Sequence, residues 1–357
     1  MSIHQPILSF LSRHLPWNKA RLKCFNDLII GVIRHRTVNL SLLATCQQSS
    51  KAKPLNKYRK LQRFFEKFDL PQQDVGRLIL SKLTKPRDGW VLSMDRTNWK
   101  LGQSHINVLT VGVVVNKVAI PVVWKVLPQC NKQGNSNTPQ RIEVMKELLQ
   151  LMEASSIKVI LMDREFVGKK WLSWLDRQGV GFIARIKNNT IVGNRLAGEY
   201  TSIRGRKPVR LLEVWGQELF FGAKKITKGR TSHLYVVSNR FTGKEALKLY
   251  RKRWSIELLF SHLKKRGFNL EDTHMTDSGK IEKLMSIISL SFLFTFGWGC
   301  YLRNSQKETS ASKRKSLFRI GLEDLLHMLT NLSSNRVNWR SFIRWLKSFQ
   351  LAEFFDV

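Results

Sequence analysis

An alternation of β-branched runs and helix-patterned segments between Gly89 and Lys187 constrains this chain more than any other feature. "GWVLSMD" (Gly89–Asp95) is a short apolar run that ends in an acid. "INVLTVGVVVN" (Ile106–Asn116) and "VAIPVVWKVL" (Val118–Leu127) are β-branched and closely joined, the pattern of a hairpin. "NTPQRIEVMKELLQLME" (Asn137–Glu153) is amphipathic, with Thr138 before Pro139 as its cap and start. "IKVILMD" (Ile157–Asp163) is a second apolar run ending in an acid, followed by a short helix near Lys169–Gln178 and the strand "VGFIARIK" (Val180–Lys187). Three strands, a helix, a strand, a helix and a strand make a mixed α/β sheet the expected architecture.

The flanks differ in character. Residues 1–85 read as helical and show no strand alternation. Leu61, Phe64, Phe65 and Phe68 recur at helical spacing, and Pro71 interrupts the pattern. Residues 188–240 are Gly-rich, basic and strand-like, as in "PVRLLEVWGQELFFGAKK" and "SHLYVVSNR". A long helix starts near Thr242–Lys244. The expected organisation is a basic helical module over 1–85, a core over 86–300 that contains the β-rich insertion 188–240, and a helical region over 301–357, with "SASKRKSLFR" (Ser310–Arg319) as a charged linker. Leu284–Leu302 carries no charge and is long enough to span a bilayer. Its Ser, Thr and Gly content, in a chain this charged, favours a buried core helix and no membrane.

Charge narrows the partners. The chain of 357 residues carries 61 Lys+Arg against 26 Asp+Glu, a formal net charge of +35. A polyanion would relieve that self-repulsion, and nucleic acid is the expected one. A ribosomal protein is typically shorter, and a membrane-surface protein would need a lipid-anchoring signal. Cys24, Cys46, Cys130 and Cys300 are scattered and form no zinc-ligand spacing, which fits a reducing cytoplasm. The N-terminus lacks the pattern of a signal peptide.

Three acids stand out. Asp95 and Asp163 each end an apolar strand, where a rigid main chain can present a reactive side chain; each could equally start a turn. Glu257 is the single acid in "LYRKRWSIELLFSHLKKRGF" (Leu249–Phe268). A lone Glu there could simply make a local ion pair. On one continuous helix, however, Tyr250, Arg253, Glu257 and Lys264 fall within about 60° of one another along roughly 20 Å. Leu249, Ile256, Leu259, Phe260 and Leu263 take the adjacent, core-facing side. Three converging carboxylates need cations between them. Hard divalent ions meet that need, and Mg²⁺ suits phosphate chemistry, where two ions about 4 Å apart serve an in-line phosphoryl transfer.

The spacing Tyr250-x2-Arg253-x3-Glu257-x6-Lys264, with "SMDRTNW", "LMDREF" and "FIARIK" upstream, resembles the YREK signature of bacterial insertion-sequence transposases of the insertion-sequence-four family. The resemblance covers about Lys57 to Thr276. It implies a DDE enzyme with a ribonuclease-H-like mixed sheet flanked by helices, a β-rich insertion before the catalytic Glu helix, an N-terminal helical domain that binds DNA ends and a helical C-terminus. It makes Asp95, Asp163 and Glu257 the catalytic, metal-binding triad for two Mg²⁺ ions, which Mn²⁺ can replace. Tyr250, Arg253 and Lys264 would grip phosphates of the transposon end, and Trp254 would stack on a flipped base. Trp215 is the candidate for a second such aromatic or else packs in the core. Arg185 and Lys187 are DNA contacts or a solvated strand end. The implied activity is cut-and-paste transposition at terminal inverted repeats, through a hairpin intermediate, by a homodimer acting on transposon ends and target DNA. A catalytically inactive or domesticated DNA-binding relative is the competing expectation.

Overall fold

The computed structural model describes residues 4–46, 53–128, 135–201, 211–226, 232–305, 315–330 and 336–351. Five helices open the chain: α1 (His4–His14), α2 (Lys19–His35), α3 (Leu40–Ala44), α4 (Pro54–Lys67) and α5 (Gln72–Ser81). Strands β1 (Trp90–Leu101), β2 (Ser104–Val115) and β3 (Val118–Leu127) follow, then α6 (Thr138–Leu149), β4 (Ile157–Met162), α7 (Lys169–Arg177) and β5 (Phe182–Ile186). The β-rich stretch supplies β6 (Ile191–Val192), β7 (Arg195–Leu196), β8 (Leu211–Val214), β9 (Gln217–Ile226) and β10 (Ser232–Ser238). Helices α8 (Gly243–Tyr250), α9 (Trp254–Leu263), α10 (Ser278–Ser305), α11 (Leu317–Thr330) and α12 (Arg336–Lys347) complete the described chain. Two compact units result: Met1–Thr84 with Asn98–Ile106 and Leu259–Val357, and Lys85–Thr97 with Asn107–Leu258.

The second unit is built on a mixed sheet of eight strands in the order β3-β2-β1-β4-β5-β10-β9-β8. β1, β4 and β5 run parallel. β10 pairs antiparallel with β5, and β9 antiparallel with β10, so the insertion mostly extends the central sheet. Its β6–β7 pair forms a separate small sheet. Helix α6 lies against β3, α7 against β5, and α8 against β9 and β10. This helix-flanked sheet is that of a ribonuclease-H-like α/β fold.

Local chemistry explains several boundaries. β2 and β3 meet at Asn116–Lys117, whose φ values of 48° and 70° give the two-residue turn that matches strand twist. Asn137, one residue earlier than expected, caps α6: its side chain accepts from Gln140 N at 3.0 Å, and the Gln140 side chain accepts from Asn137 N at 2.9 Å. Thr242 and Glu245 form the equivalent box on α8.

Three expectations are revised. β1 does not stop at Asp95 but continues to Leu101, because it forms a hairpin with β2 after its pairing with β4 ends. The basic helix is not continuous: a 3₁₀ turn, Arg251–Arg253, separates α8 from α9. The charged linker overlaps α11 at Leu317–Arg319, while residues 310–314 lie outside the described residues, as do Cys130 and Pro208–Arg210.

The first unit is a helical assembly in which α10 touches α2, α4, α5, α11 and α12. α10 is long and apolar enough to cross a membrane, but 94% of its apolar window is buried within the protein, as a core helix requires. Its polar residues are accommodated locally. Ser291 donates to the Ile287 carbonyl at 2.9 Å, Thr295 to that of Ser291 at 2.7 Å, and Trp298 Nε1 to Asp324 at 2.8 Å. Leu61, Phe64, Phe65 and Phe68 are buried in this unit.

Candidate active site

The parallel ladder between β1 and β4 ends at the pair Met94–Met162. The next residue on each strand is an acid, Asp95 and Asp163. Strand alternation keeps Met94 in the core, with no exposed surface, and turns Asp95 to the opposite face. Asp163 leaves β4 directly and opens a turn in which Phe166 N donates to its carbonyl at 2.9 Å. Each carboxylate also accepts its successor's backbone N–H: Arg96 N to Asp95 Oδ1 at 2.8 Å and Arg164 N to Asp163 Oδ1 at 2.7 Å.

Glu257, in the first turn of α9, is linked to Asp95 through Arg253. One guanidinium nitrogen of Arg253 lies 3.1 Å from Asp95 Oδ2, and the other is hydrogen-bonded to Glu257. The Arg253 side chain is only 9% exposed, so this bridge is largely shielded from water. The 3₁₀ turn brings the Arg253 carbonyl to the buried Ser93 hydroxyl, which donates to it at 3.3 Å from β1. Glu257 thus makes the local ion pair, with the same guanidinium that Asp95 holds.

Electrostatics match the burial. Desolvation pushes Asp95 up to about 6 from its ordinary 3.8. The Arg96 N–H and Arg253 oppose that shift, while Asp163 and Glu165 add to it. Burial also raises the Tyr250 hydroxyl, which has no hydrogen-bond partner among the described residues. Its ring packs with Val159, Leu161, Ile183, Val236 and Ala246 and lies against the Arg253 guanidinium, 5.9 Å from it.

The remaining expected residues divide. Arg185 of β5 is at the site, 3.7 Å from Asp163 Oδ1. Trp254 is 58% exposed on α9. Lys187 is exposed just past β5. Trp215 sits at the β8–β9 turn, on the far side of β5 and β10 from β4, with φ of 53°. There it lines a small cavity with Asn189, Thr190 and Glu213. Lys264 belongs to the first unit, where Nζ donates to the Asn98 carbonyl at 2.8 Å and pairs with Glu271 at 2.7 Å.

Ser93, Arg96 and Glu165 contribute to this region and were not singled out from the sequence. A signal was there: both acids precede an arginine, in "MDR" and "MDRE", and Glu165 lies two residues beyond Asp163.

Among the described residues, no three acidic, His or Cys side chains are gathered closely enough to hold a metal ion. The donor set still suits a hard divalent cation in kind, since all three candidates are carboxylates. In this arrangement the positive charge between Asp95 and Glu257 is the Arg253 guanidinium.

No curated protein matches the chain. Residues 86–294 match the family described as a transposase DDE domain, a span that contains Asp95, Asp163 and Glu257 and exceeds half of the chain. The chain therefore belongs to the transposase DDE domain family.

Proposed function

We propose that this transposase mobilises an insertion sequence by cut-and-paste, cleaving DNA at terminal inverted repeats and joining the freed 3′ ends to target DNA. The observation that carries this reading is the position of Asp95 and Asp163, each directly after the last ladder pair (Met94–Met162) of two adjacent parallel strands, with Glu257 tied to Asp95 through Arg253. Asp95, Asp163 and Glu257 would hold Mg²⁺, or Mn²⁺ in its place, with two ions the expected number. When bound, the metal supplies charge neutralisation and activation of the attacking oxygen.

The chain's own residues account for the rest. Arg253 neutralises Asp95 and Glu257 in this arrangement, and its guanidinium would serve as a DNA-phosphate contact where those carboxylates hold cations. Arg185, weakly held at 3.7 Å by Asp163, is a second phosphate contact. The buried Tyr250 ring lies 5.9 Å from the Arg253 guanidinium and helps to position it, and Tyr250 joins the DNA grip in this reading. Trp254 offers an exposed indole to a base. Lys264, Lys187 and Trp215 are further DNA contacts in this reading. In this reading the enzyme is of the insertion-sequence-four family, which the spacing of Tyr250, Arg253, Glu257 and Lys264 supports, and it works through a hairpin intermediate as a homodimer holding two ends, in the cytoplasm and on the nucleoid.

The test uses linear DNA carrying the repeats that flank the gene. Cleavage at the repeat ends is expected with Mg²⁺ and should disappear in Asp95→Ala, Asp163→Ala and Glu257→Ala, with end binding retained. Cleavage that survives all three substitutions overturns the assignment.

A further inference from the structure

Beyond Met94–Met162 no backbone ladder ties β1 to β4, yet the carboxylates on Asp95 and Asp163 must keep a fixed separation to act together. A side-chain connection takes over at this point. Arg96, next to Asp95, donates through Nε to both carboxylate oxygens of Glu165, at 2.8 and 2.7 Å. Glu165 lies inside the turn that Asp163 opens. The ion pair therefore joins the residue after one acid to the turn that carries the other.

Both partners are themselves held. The remaining Arg96 nitrogens donate to Asn107 Oδ1 on β2 at 2.7 Å and to Asn135 Oδ1 at 2.9 Å. Glu165 Oε1 also accepts the Ser136 N–H at 3.0 Å and the Ser136 hydroxyl at 3.1 Å. Ser136 in turn receives Arg141 Nε at 2.9 Å, and the buried Arg141 reaches the Val167 carbonyl at 3.4 Å and lies over the Phe166 ring. Arg96 and Glu165 side chains are each 16% exposed, so the pair is well shielded. Because strand side chains alternate, Arg96 points away from the face of Asp95 and is not positioned to touch DNA beside it.

We propose that Arg96 and Glu165 are positioning residues, a clamp that sets Asp163 against Asp95 for the transfer reaction. This rests on the carboxylate site proposed above. Outer partners of metal-binding side chains act in this way, and their loss costs about 10- to 100-fold in metal affinity or activity.

The full-length protein is compared as wild type, Glu165→Gln, Arg96→Gln, the double variant and Glu165→Asp. Three quantities are read well below each variant's melting temperature: the single-turnover cleavage rate on pre-bound ends, the Kd for the ends, and Mn²⁺ binding to the protein–DNA complex by electron paramagnetic resonance. Glu165→Gln and Arg96→Gln should each lower the cleavage rate about 10- to 100-fold and weaken Mn²⁺ binding, with end-binding Kd within about twofold of wild type. The double variant should be no slower than the worse single one, and Glu165→Asp should recover part of the rate. A general packing role would instead change Kd and rate together. Unchanged rate and Mn²⁺ binding in both single variants, or fully additive losses, overturns the clamp. If wild type binds Mn²⁺ but does not cleave, the transposition reading fails, while weaker Mn²⁺ binding in Glu165→Gln still supports the clamp. A wild type that neither cleaves nor binds Mn²⁺ overturns both.

Discussion

The carboxylate end of the sheet and the packing around α10 are both buried, but they bury different things. Around α10 the interior is Leu, Ile, Phe and Trp, and Ser291 and Thr295 bond carbonyls of their own helix. At the sheet end the interior holds Asp95 and Arg253, and the Tyr250 hydroxyl has no hydrogen-bond partner among the described residues. Apolar burial stabilises at roughly 25 cal/mol per Å². A buried ion pair often contributes nothing net, because desolvation offsets the attraction. The first region should therefore govern stability and the second reactivity, and substitutions in the two should separate these properties.

The largest expected effect lies at the sheet end. Asp163→Asn should lower the end-cleavage rate by about a thousandfold or more, equivalent to roughly 4 kcal/mol in the barrier, with the melting temperature little changed. A gel-based single-turnover assay beside a thermal melt decides it; comparable losses in both would erase the distinction between the regions.

Next comes the α10 interior. Phe294 is fully buried, and Phe294→Ala should destabilise the fold by about 3–5 kcal/mol through lost transfer energy and a cavity. Urea unfolding should show a lower midpoint at every pH between 4 and 8. A strongly pH-dependent loss would point to a charge at that site and contradict the apolar packing.

Asp95→Asn should act with the opposite sign. Asp95 titrates near 6 in the folded protein and near 3.8 when unfolded, so folding favours its protonated form. Its stabilising contribution is fully present below about 3.8 and is lost as pH rises through about 6. Removing the charge should therefore raise metal-free stability at pH 8, by at most about 3 kcal/mol, and change little at pH 3.5. Differential scanning fluorimetry at the two pH values checks this. A loss of stability at pH 8 would mean that the Arg253 pair outweighs desolvation.

The smallest stability effect is expected at Trp254. With 58% of its surface exposed, Trp254→Ala should shift stability by less than about 0.5 kcal/mol while weakening engagement of DNA ends. Fluorescence anisotropy on end DNA measures the second property, and an unchanged Kd would remove Trp254 from the DNA surface.

Much of the core was legible because its strands are long, apolar and β-branched. β3 matches its sequence segment over Val118–Leu127, and the segments for β4, β5 and α7 differ from theirs by one or two residues at an end. The acids of the candidate site were legible as well, since a charge that closes an apolar run is a strong local contrast. Other features depended on distant partners. Asp95 looks like a strand end in sequence, but β1 runs on because β2 returns alongside it. Arg253 reads in the sequence as a phosphate-gripping cation, and only folding sets it 3.1 Å from a carboxylate 158 residues earlier. Arg96 and Glu165 read as ordinary charged neighbours of the acids, and only the turn after Asp163 makes them a pair.

Local pattern alone was enough to specify a helix-flanked mixed sheet, a strongly cationic surface and three candidate carboxylates, because periodicity and charge are properties of neighbouring residues. Which cations those carboxylates meet was decided by tertiary structure. Strand pairing and the clamp at Arg96 are set by contacts between residues far apart in the chain. Charge interactions weaken with distance and with access to water, and both are known only once the chain is folded.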